Sequence, residues 1–207
     1  MTTFSGIPLA ALDFYEALES DNSKVFWTEH KHVYEDSVRA PLVALAAELE
    51  PEFGPAKLFR PYRDVRFSKD KTPYKTAQGV WFAESSRYLQ VSASGLFIGG
   101  GRWETTSEQV AGYRRAVDDE RHGLALQKAL ASLRRAGFEI SGDQLTRVPS
   151  GYAKDHPRAD LLRYKTMGGR RDFGAPDWLE TPAVREHIVK AWRQLEPLIS
   201  WLQTHVR

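Results

Sequence analysis

The sequence predicts a protein of the α+β class, with a mainly antiparallel sheet and helices packed on one face and at the ends. Three observations predict this class. Apolar residues recur at helical spacing toward both ends of the 207-residue chain, strand-like segments follow one another in the middle, and short turns join those segments. Such turns favour antiparallel pairing, because parallel strands need long crossover connections. The length suits a single domain over residues 1–207.

The N-terminal quarter of the chain is predicted to be helical. A first helix is expected over residues 8–18, with Ser5 as its cap and an early proline where a missing N–H costs little. A second helical region is expected over residues 23–50, with Asn22 as its N-cap. Pro41 lies inside this region and should kink or split it, because proline lacks the backbone N–H.

The middle of the chain reads as a run of strands. Residues 57–67 are expected to be extended, and three further segments combine β-branched and aromatic residues with polar or glycine-containing turns. These segments are "QGVWFAES", "RYLQVSAS" and "GLFIGGGRW". The glycines at 99–101 match no phosphate-binding loop, and they indicate a bulge or a close backbone approach.

Helical periodicity returns in the second half of the chain. One helix should start at Thr105 or Thr106, and the next should stop at Gly137, a typical C-terminal signal. One or two strands are expected within residues 138–148, and the last helix should open after Thr181. The segment "GGRRDFGAPDW" from Gly168 is interpreted as an exposed loop with paired arginines.

The composition excludes several classes of site. The chain has no cysteine, which removes disulfides, thiolate nucleophiles and cysteine-based metal centres. The first twenty residues lack the basic segment of a signal peptide, and the longest uncharged run is too short to span a bilayer. We therefore expect a cytoplasmic protein without a membrane partner. No sequence motif indicates a particular cofactor, so the cofactor is left unassigned.

The net charge of +2 is concentrated in one segment, "FRPYRDVRFSKDKTPYKT", which starts at Phe59. From Phe59 to Lys75 the chain has six basic and two acidic residues, so the net positive charge of this segment exceeds that of the whole chain. Tyrosines are interleaved with these cations. We call the segment from Phe59 to Lys75 the basic stretch, and its composition predicts a local anion site rather than a general affinity for polyanions.

A strand over residues 60–67 would place Arg60 and Arg66 on one polar face, followed by a lysine-rich loop. Arginine grips phosphate or carboxylate with two parallel hydrogen bonds, and a strand would aim that group in advance. Lysines on a loop must first be ordered. The two arginines are therefore expected to contribute more to anion binding than Lys69 does.

The candidate site residues follow from this reasoning. Asp64 would hold the arginines or act as a base, and the tyrosines would orient or stack on the ligand. The candidate ligand-binding residues are Arg60, Tyr62, Arg63, Arg66, Lys69, Lys71, Tyr74 and Lys75. An anionic small molecule is the favoured partner, and single-stranded nucleic acid or an acidic protein is the alternative. A purely structural network of Arg60, Asp64 and Arg66 stays open.

A second polar cluster, "GYAKDHPRAD", runs from Gly151 to Asp160. His156 is a candidate general base there, oriented by Asp155 or Asp160. The spacing matches no metal motif, so no metal ligand is assigned. A hydrogen-bonded loop is the structural alternative. We expect the basic stretch and the segment around His156 to line one cleft, because composite sites draw on several segments.

These motifs resemble the signature of a widespread microbial family of unknown function, DUF2461. The resemblance rests on the basic stretch, "FSGIP", "WTEHKHVYEDSVRAP", "GGGRW" and "RVPSGYAKDHPRADLLRYK". It covers most of the chain, although the family usually shows Trp-Phe where this chain has Phe26-Trp27. The resemblance implies a single domain and supplies no activity.

Overall fold

A computed structural model describes residues 3–66 and 69–207. Six strands form one antiparallel sheet, as the sequence predicts, in the order β1-β2-β3-β4-β6-β5. The strands are β1 (Ala56–Leu58), β2 (Ala77–Phe82), β3 (Arg87–Ser92), β4 (Gly95–Arg102), β5 (Glu139–Ser141) and β6 (Met167–Gly174). The helices are α1 (Ala10–Ser20), α2 (Lys24–Val33), α3 (Ala40–Phe53), α4 (Ser107–Asp118), α5 (Glu120–Arg135), α6 (Ala159–Leu162) and α7 (Ala183–His205). The α+β class is confirmed.

The N-terminal helices differ from the prediction at their caps. The first turn of α1 has no side-chain cap, so Ser5 does not cap it, and the carboxylate of Glu180 accepts from the N–H of Leu9. Ser23, rather than Asn22, caps α2 by accepting from the N–H of Phe26. Asn22 is used elsewhere, in a contact that the sequence does not reveal.

Pro41 neither ends the second helical region nor leaves it regular. A π-helical segment, Tyr34–Arg39, connects α2 to α3, and Pro41 lies in the first turn of α3. A proline ring clashes with the carbonyl four residues earlier in an α-helix. The wider π turn just before it relieves this clash, so the helical path continues to Phe53 and ends at Gly54, which has a φ of 83°.

The predicted central strands are confirmed. β2 and β3 form an antiparallel pair with Val80 opposite Leu89, and β1 pairs with β2 through Leu58 and Val80. The predicted strand over residues 60–67 is wrong: β1 ends at Leu58, and the following residues are irregular. Phe67 itself lies outside the described residues.

The predicted loop at "GGRRDFG" is also wrong, because this segment is strand β6 and pairs with β5. The high glycine content of this segment obscures its strand character in the sequence. A Cβ on Gly169 would lie 2.6 Å from a terminal methyl group of Leu195, so any larger residue there would force the Leu195 side chain to shift. The glycines of β4 meet the prediction of a close approach, since a Cβ on Gly101 would lie 2.4 Å from the carbonyl oxygen of Met167.

The helices of the second half begin and end near the predicted residues. Thr106 caps α4, with the reciprocal bond from Gln109 that completes a capping box. α5 ends just before Gly137, whose φ is 82°. Thr181 accepts from the N–H of Ala183 at the start of α7, as expected.

The chain groups into two compact units. The first contains the described residues up to Ile98 together with Asp172–Lys190, and its core includes Tyr15, Leu45 and Phe82. The second contains Gly99–Arg171 and Ala191–Arg207, with Tyr113, Leu126 and Trp192 in its core. Each unit is built from discontinuous segments, and the single-domain assignment stays a prediction.

Within residues 3–66 and 69–207, no helix is both long enough and apolar enough to cross a membrane.

Candidate functional site

The described parts of the basic stretch, residues 59–66 and 69–75, contain the two arms of an irregular antiparallel hairpin that extends the β1–β2 pair. Backbone hydrogen bonds join the N–H of Arg63 to the carbonyl of Pro73 at 2.8 Å and the N–H of Lys75 to that of Pro61 at 2.7 Å. Tyr62 and Tyr74 form an isolated antiparallel bridge between these bonds. Pro61 and Pro73 have no N–H to donate, which explains why the pairing stays isolated and does not become a regular ladder.

The two tyrosines of the bridge rest on Trp27 of α2. The rings of Trp27 and Tyr74 are stacked, with centroids 4.3 Å apart and planes 9° apart. Tyr62 packs at a tilt against both, at 5.8 Å from Trp27 and 5.6 Å from Tyr74. Trp27 and Tyr74 are buried, whereas Tyr62 keeps 46% of its surface exposed. The hairpin therefore presents one aromatic side chain to solvent above a buried aromatic base.

Asn22 fixes the returning arm of the hairpin to the start of α2. Its side-chain amide donates to the carbonyl of Tyr74 at 3.2 Å, and its side-chain oxygen accepts from the N–H of Tyr74 at 3.0 Å. One side chain thus satisfies both backbone groups of a residue 52 positions away. This paired bond brings Tyr74 against the helix that carries Trp27.

A buried polar chain fixes the outgoing arm. The hydroxyl of Tyr34, in the π-helical segment, donates to the side-chain oxygen of Gln78 at 2.7 Å. The amide of Gln78 in turn donates to the carbonyl of Phe59 at 2.7 Å. Burial, with the nearby Glu35 carboxylate, raises the pKa of Tyr34 to about 12, so the hydroxyl keeps its proton at neutral pH. Gln78 is buried, and its partners explain why a polar residue is tolerated in β2.

Three cations of the hairpin influence one another. The ammonium of Lys75 lies 5.3 Å from the centroid of the Phe59 ring, in a half-buried position. Desolvation lowers the pKa of Lys75, and the positive charges of Arg60 and Arg63 lower it further. Across the described ranges 3–66 and 69–207, neither Arg60 nor Lys75 has a carboxylate oxygen within 4 Å. Nearby carboxylates therefore neutralise the positive charges of Arg60, Arg63 and Lys75 only in part.

Arg63 differs from Arg60 and Lys75 because a carboxylate lies beside its guanidinium. Its guanidinium donates to the carboxylate of Asp70 and, at 2.8 Å, to the hydroxyl of Thr72. Asp70 also accepts from the N–H and hydroxyl of Thr72, and these bonds are the main reason that its pKa is lowered. Arg63 and Asp70 thus brace the tip of the hairpin.

Arg66 and Asp64 form a local pair on the exposed side of the hairpin. The guanidinium binds the carboxylate in a bidentate manner, with distances of 2.9 Å from Nε to Oδ1 and 2.7 Å from Nη2 to Oδ2. The hydrogen bonds from Arg66 lower the pKa of Asp64. The side chain of Arg66 is 76% exposed, and it does not lie on a strand that would aim it. The sequence-based expectation that Arg66 is pre-aimed is therefore wrong.

The loop lysines divide into two kinds. Lys71 donates from its ammonium to the carbonyl of Val65 at 3.0 Å and so closes the loop. Lys69 is exposed, and its neighbour Ser68 lies outside the described residues. Of the predicted ligand-binding residues, the hairpin thus brings Arg60, Arg63 and Lys75 into mutual influence and places Tyr62 beside Tyr74.

His156 belongs to the second unit, and its contacts are local. Its Nδ1 accepts from the backbone N–H of Arg158 at 3.0 Å, which places the ring proton on Nε2, 3.3 Å from a carboxylate oxygen of Asp118. The predicted orienting acids, Asp155 and Asp160, are not the partners. Arg66 belongs to the first unit and His156 to the second, and their predicted joint cleft stays a prediction.

The segment around His156 has a clear structural task. Arg158 is buried and donates to the carbonyls of Val117 at 2.6 Å and Asp118 at 2.9 Å, at the end of α4. These two bonds satisfy carbonyls in the last turn of α4, where the helix itself supplies no partner, while the His156 ring contacts the side-chain carboxylate of Asp118. No group of three or more histidine, aspartate or glutamate side chains in the described parts of the chain is arranged to hold a metal ion.

Sequence reasoning missed the residues that support the hairpin. The sequence predicts Asn22 only as a helix cap, and no local pattern marks Trp27 or Gln78 as a support of the hairpin. The one available signal was the adjacent pair Asn22-Ser23, in which only one residue can cap α2. Nothing local to Asn22 specifies a partner 52 residues away.

The comparison with protein families matches residues 10–201 to the model for a conserved hypothetical protein family, DUF2461. This chain belongs to the DUF2461 family. The match confirms the resemblance carried by the sequence motifs, and it includes the whole basic stretch and the segment around His156. No curated protein and no solved structure gives a significant match. Function in this DUF2461 protein must therefore be argued from its own residues.

Proposed function

We propose that the hairpin of the basic stretch binds an anionic, phosphate-bearing ligand, with Arg60 and Lys75 as the main contacts and Arg63 beside them. One observation carries the proposal. The pKa of the half-buried Lys75 is lowered first by desolvation and then by the positive charges of Arg60 and Arg63, and neither Lys75 nor Arg60 has a carboxylate oxygen within 4 Å in residues 3–66 and 69–207. A bound anion would supply the missing negative charge.

A bound anion accounts for the charges of this hairpin better than a purely structural role does. Desolvation, together with the positive charges of Arg60 and Arg63, raises the free energy of the charged form of Lys75, which is the physical meaning of its lowered pKa. A ligand phosphate would reverse that effect and form charge-assisted hydrogen bonds worth about 1.5–3 kcal/mol each. A purely structural network would instead place a carboxylate beside each cation, as Asp64 does for Arg66.

The remaining predicted residues receive supporting roles in this proposal. Arg63 and Lys71 maintain the loop through Asp70 and the carbonyl of Val65. The exposed Lys69 adds long-range attraction that salt would screen. Arg66 is held by Asp64, so its contribution to binding is smaller than the sequence suggested.

The proposal is limited to binding. Both carboxylate oxygens of Asp64 accept hydrogen bonds from Arg66, and the pKa of this exposed group is lowered, which disfavours a base near neutral pH. His156 has both ring nitrogens engaged with Arg158 and Asp118. Catalytic roles for Asp64 and His156 therefore receive no support from their contacts.

Titration of inorganic phosphate and ribose 5-phosphate into the purified protein, followed by calorimetry, tests the proposal. Arg60→Gln and Lys75→Gln should each weaken binding at least about tenfold, or about 1.4 kcal/mol. Lys128→Gln, which removes one exposed charge from α5, is the matched control and should leave affinity unchanged. Absence of binding to the parent protein, or equal losses in Lys128→Gln, would contradict the proposal.

A further inference from the structure

We propose that a groove along α3 binds a small zwitterion with an apolar side chain, namely a free amino acid of the aliphatic class. The groove lies within the first unit, and the proposal goes beyond the anion site of the basic hairpin and does not depend on it. The volume of the groove is about 570 Å³, which is within the range of small-molecule sites. Three segments line it: residues 3–5, the π-helical segment and the first half of α3.

The floor of the groove is an apolar face of α3. Its members recur at the three- and four-residue spacing of one helix face, and they are Ala40, Val43, Ala44 and Ala47. Val43 is 42% exposed, and Ala40 and Ala47 are exposed as well. The short alanine side chains leave room above the helix. A ligand side chain placed there would bury apolar surface that now faces water, which favours binding.

The N-terminal residues form a wall of the groove that is fixed to the rest of the unit. Phe4, which lines the groove, is buried, and its N–H donates to a carboxylate oxygen of Glu48 at 3.0 Å. Three residues later, the N–H of Ile7 donates to the carbonyl of Leu179 at 2.8 Å. The wall is therefore held in place before a ligand binds, which reduces the entropic cost of association.

Two side chains of opposite charge line this groove and do not pair with each other. They are Asp36 and Arg39 of the π-helical segment, and no ion pair within 4 Å joins them in residues 3–66 and 69–207. Arg39 lies 3.6 Å from Glu35 instead, and both side chains of that pair are largely exposed. Exposed ion pairs contribute little stability, so Arg39 can exchange Glu35 for a ligand carboxylate at small cost.

A zwitterion matches both charges and the apolar floor. Its ammonium would bind the carboxylate of Asp36, its carboxylate would bind the guanidinium of Arg39, and its aliphatic side chain would cover α3. A ligand with a single charge would meet one of these groups as an attraction and the other as a repulsion. The lining of the groove therefore selects against fatty acids and aliphatic amines, and in favour of a ligand that carries both charges.

The test titrates free leucine into the full-length protein and follows the backbone amide signals by NMR. Leucine should shift the signals of Ala44 and Ala47, and it should bind about tenfold more tightly than free alanine, because its longer side chain buries more apolar surface. N-acetylleucine lacks the ammonium, and leucinamide lacks the carboxylate. Each of these two probes should bind about three- to fivefold more weakly than leucine, the effect expected for one exposed charge pair.

Variants assign each charge of the ligand to its partner. Asp36→Asn should weaken leucine about three- to fivefold and should not weaken N-acetylleucine, whereas Arg39→Gln should weaken leucine similarly and should not weaken leucinamide. Glu29→Gln and Lys31→Gln, which remove exposed charges of α2, are the matched controls and should leave every affinity unchanged. Ala47→Leu fills the groove and should abolish binding. Thermal unfolding of each variant confirms that it is folded.

Three outcomes would overturn the inference. Equal affinities for leucine, N-acetylleucine and leucinamide would show that the groove does not recognise a zwitterion. Binding of leucine that persists in folded Ala47→Leu would place the ligand outside the groove. Absence of shifted signals with every probe would show that the groove does not bind this class of ligand. Phosphate binding to the basic hairpin is measured separately, so either proposal can fail while the other stands.

Discussion

At the scale of one residue, the pKa of Lys75 reports the burial of its ammonium and the positive charges near it. Burial lowers the pKa of Lys75, and Arg60 and Arg63 lower it further. Unfolding removes all three influences, so the unfolded chain binds the proton more tightly than the folded protein does. The contribution of Lys75 to the free energy of unfolding should therefore rise with pH between its folded pKa and the ordinary value near 10.4.

The first prediction concerns the titration of Lys75. Its pKa, measured by NMR on the side-chain carbon next to the ammonium, should be below the ordinary lysine value. Arg60→Gln should raise it, because one repelling charge is removed, and inorganic phosphate should raise it in the parent protein. A pKa unchanged by both treatments would show that Arg60 and the anion act elsewhere.

A second titrating residue lies in the other unit. The ring of His205, at the end of α7, lies 4.4 Å from that of His122 and 4.7 Å from that of Trp201. Desolvation lowers the pKa of His205, and His122 and Arg207 lower it further, while Asp119 opposes them. Folding therefore favours the neutral imidazole.

The second prediction follows from the sign of that shift. The stabilising contribution of neutral His205 should be complete above about pH 6.5 and should be lost as pH falls through the folded pKa. Thermal unfolding of the parent protein and of His205→Gln at pH 7.5 and 5 measures it. The variant should lose less stability on acidification than the parent, while His32→Gln, an exposed histidine of α2, should behave as the parent does.

At the scale of elements, α2 and the basic hairpin are joined by Asn22, while the helix itself is capped by Ser23. The two residues are adjacent and have different tasks: Asn22 binds both backbone groups of Tyr74, and Ser23 binds the N–H of Phe26. Substituting each residue in turn tests whether these two roles are independent.

The third prediction compares these neighbours. Asn22→Ala should lower the free energy of unfolding by about 1–3 kcal/mol, because two backbone groups of the buried Tyr74 lose their partner. It should also weaken phosphate binding, since the arm that carries Lys75 is released. Ser23→Ala should cost about 1 kcal/mol and leave binding unchanged. Urea unfolding and phosphate titration measure both effects, and equal binding losses would contradict the distinct role of Asn22.

At the scale of the whole molecule, the chain passes between the two units within single elements. β4, β6 and α7 each begin in one unit and end in the other, as their bounds show. An element cannot easily lose half of its hydrogen bonds and keep the rest, because helix and strand formation is cooperative.

The fourth prediction is that the protein unfolds in one cooperative transition. Calorimetry should give equal van't Hoff and calorimetric enthalpies, and tryptophan fluorescence should follow the same urea curve as circular dichroism. Two resolved transitions would contradict the single-domain prediction and would assign separate stabilities to the two units.

The identity of most helices and strands could be predicted from the sequence, because it depends on local periodicity. Apolar spacing in α5 and α7 and the run of strands from β2 to β4 are local signals, and so is the capping threonine of α4. The prediction failed where glycine and proline obscure local patterns. β6 reads as a loop because of its glycines, and the segment after β1 reads as a strand although prolines interrupt its pairing.

The fold class and the position of the surplus charge follow from the amino-acid sequence alone, since both depend on residues that are neighbours in the chain. The pairing of those charges depends on the tertiary structure. It paired Arg66 with Asp64, left Arg60 and Lys75 without a close carboxylate among the described residues, and used Asn22 to set Tyr74 on Trp27. The physical reason is that hydrogen bonds and ring contacts between segments 52 residues apart depend on the path of the chain, which no local pattern encodes.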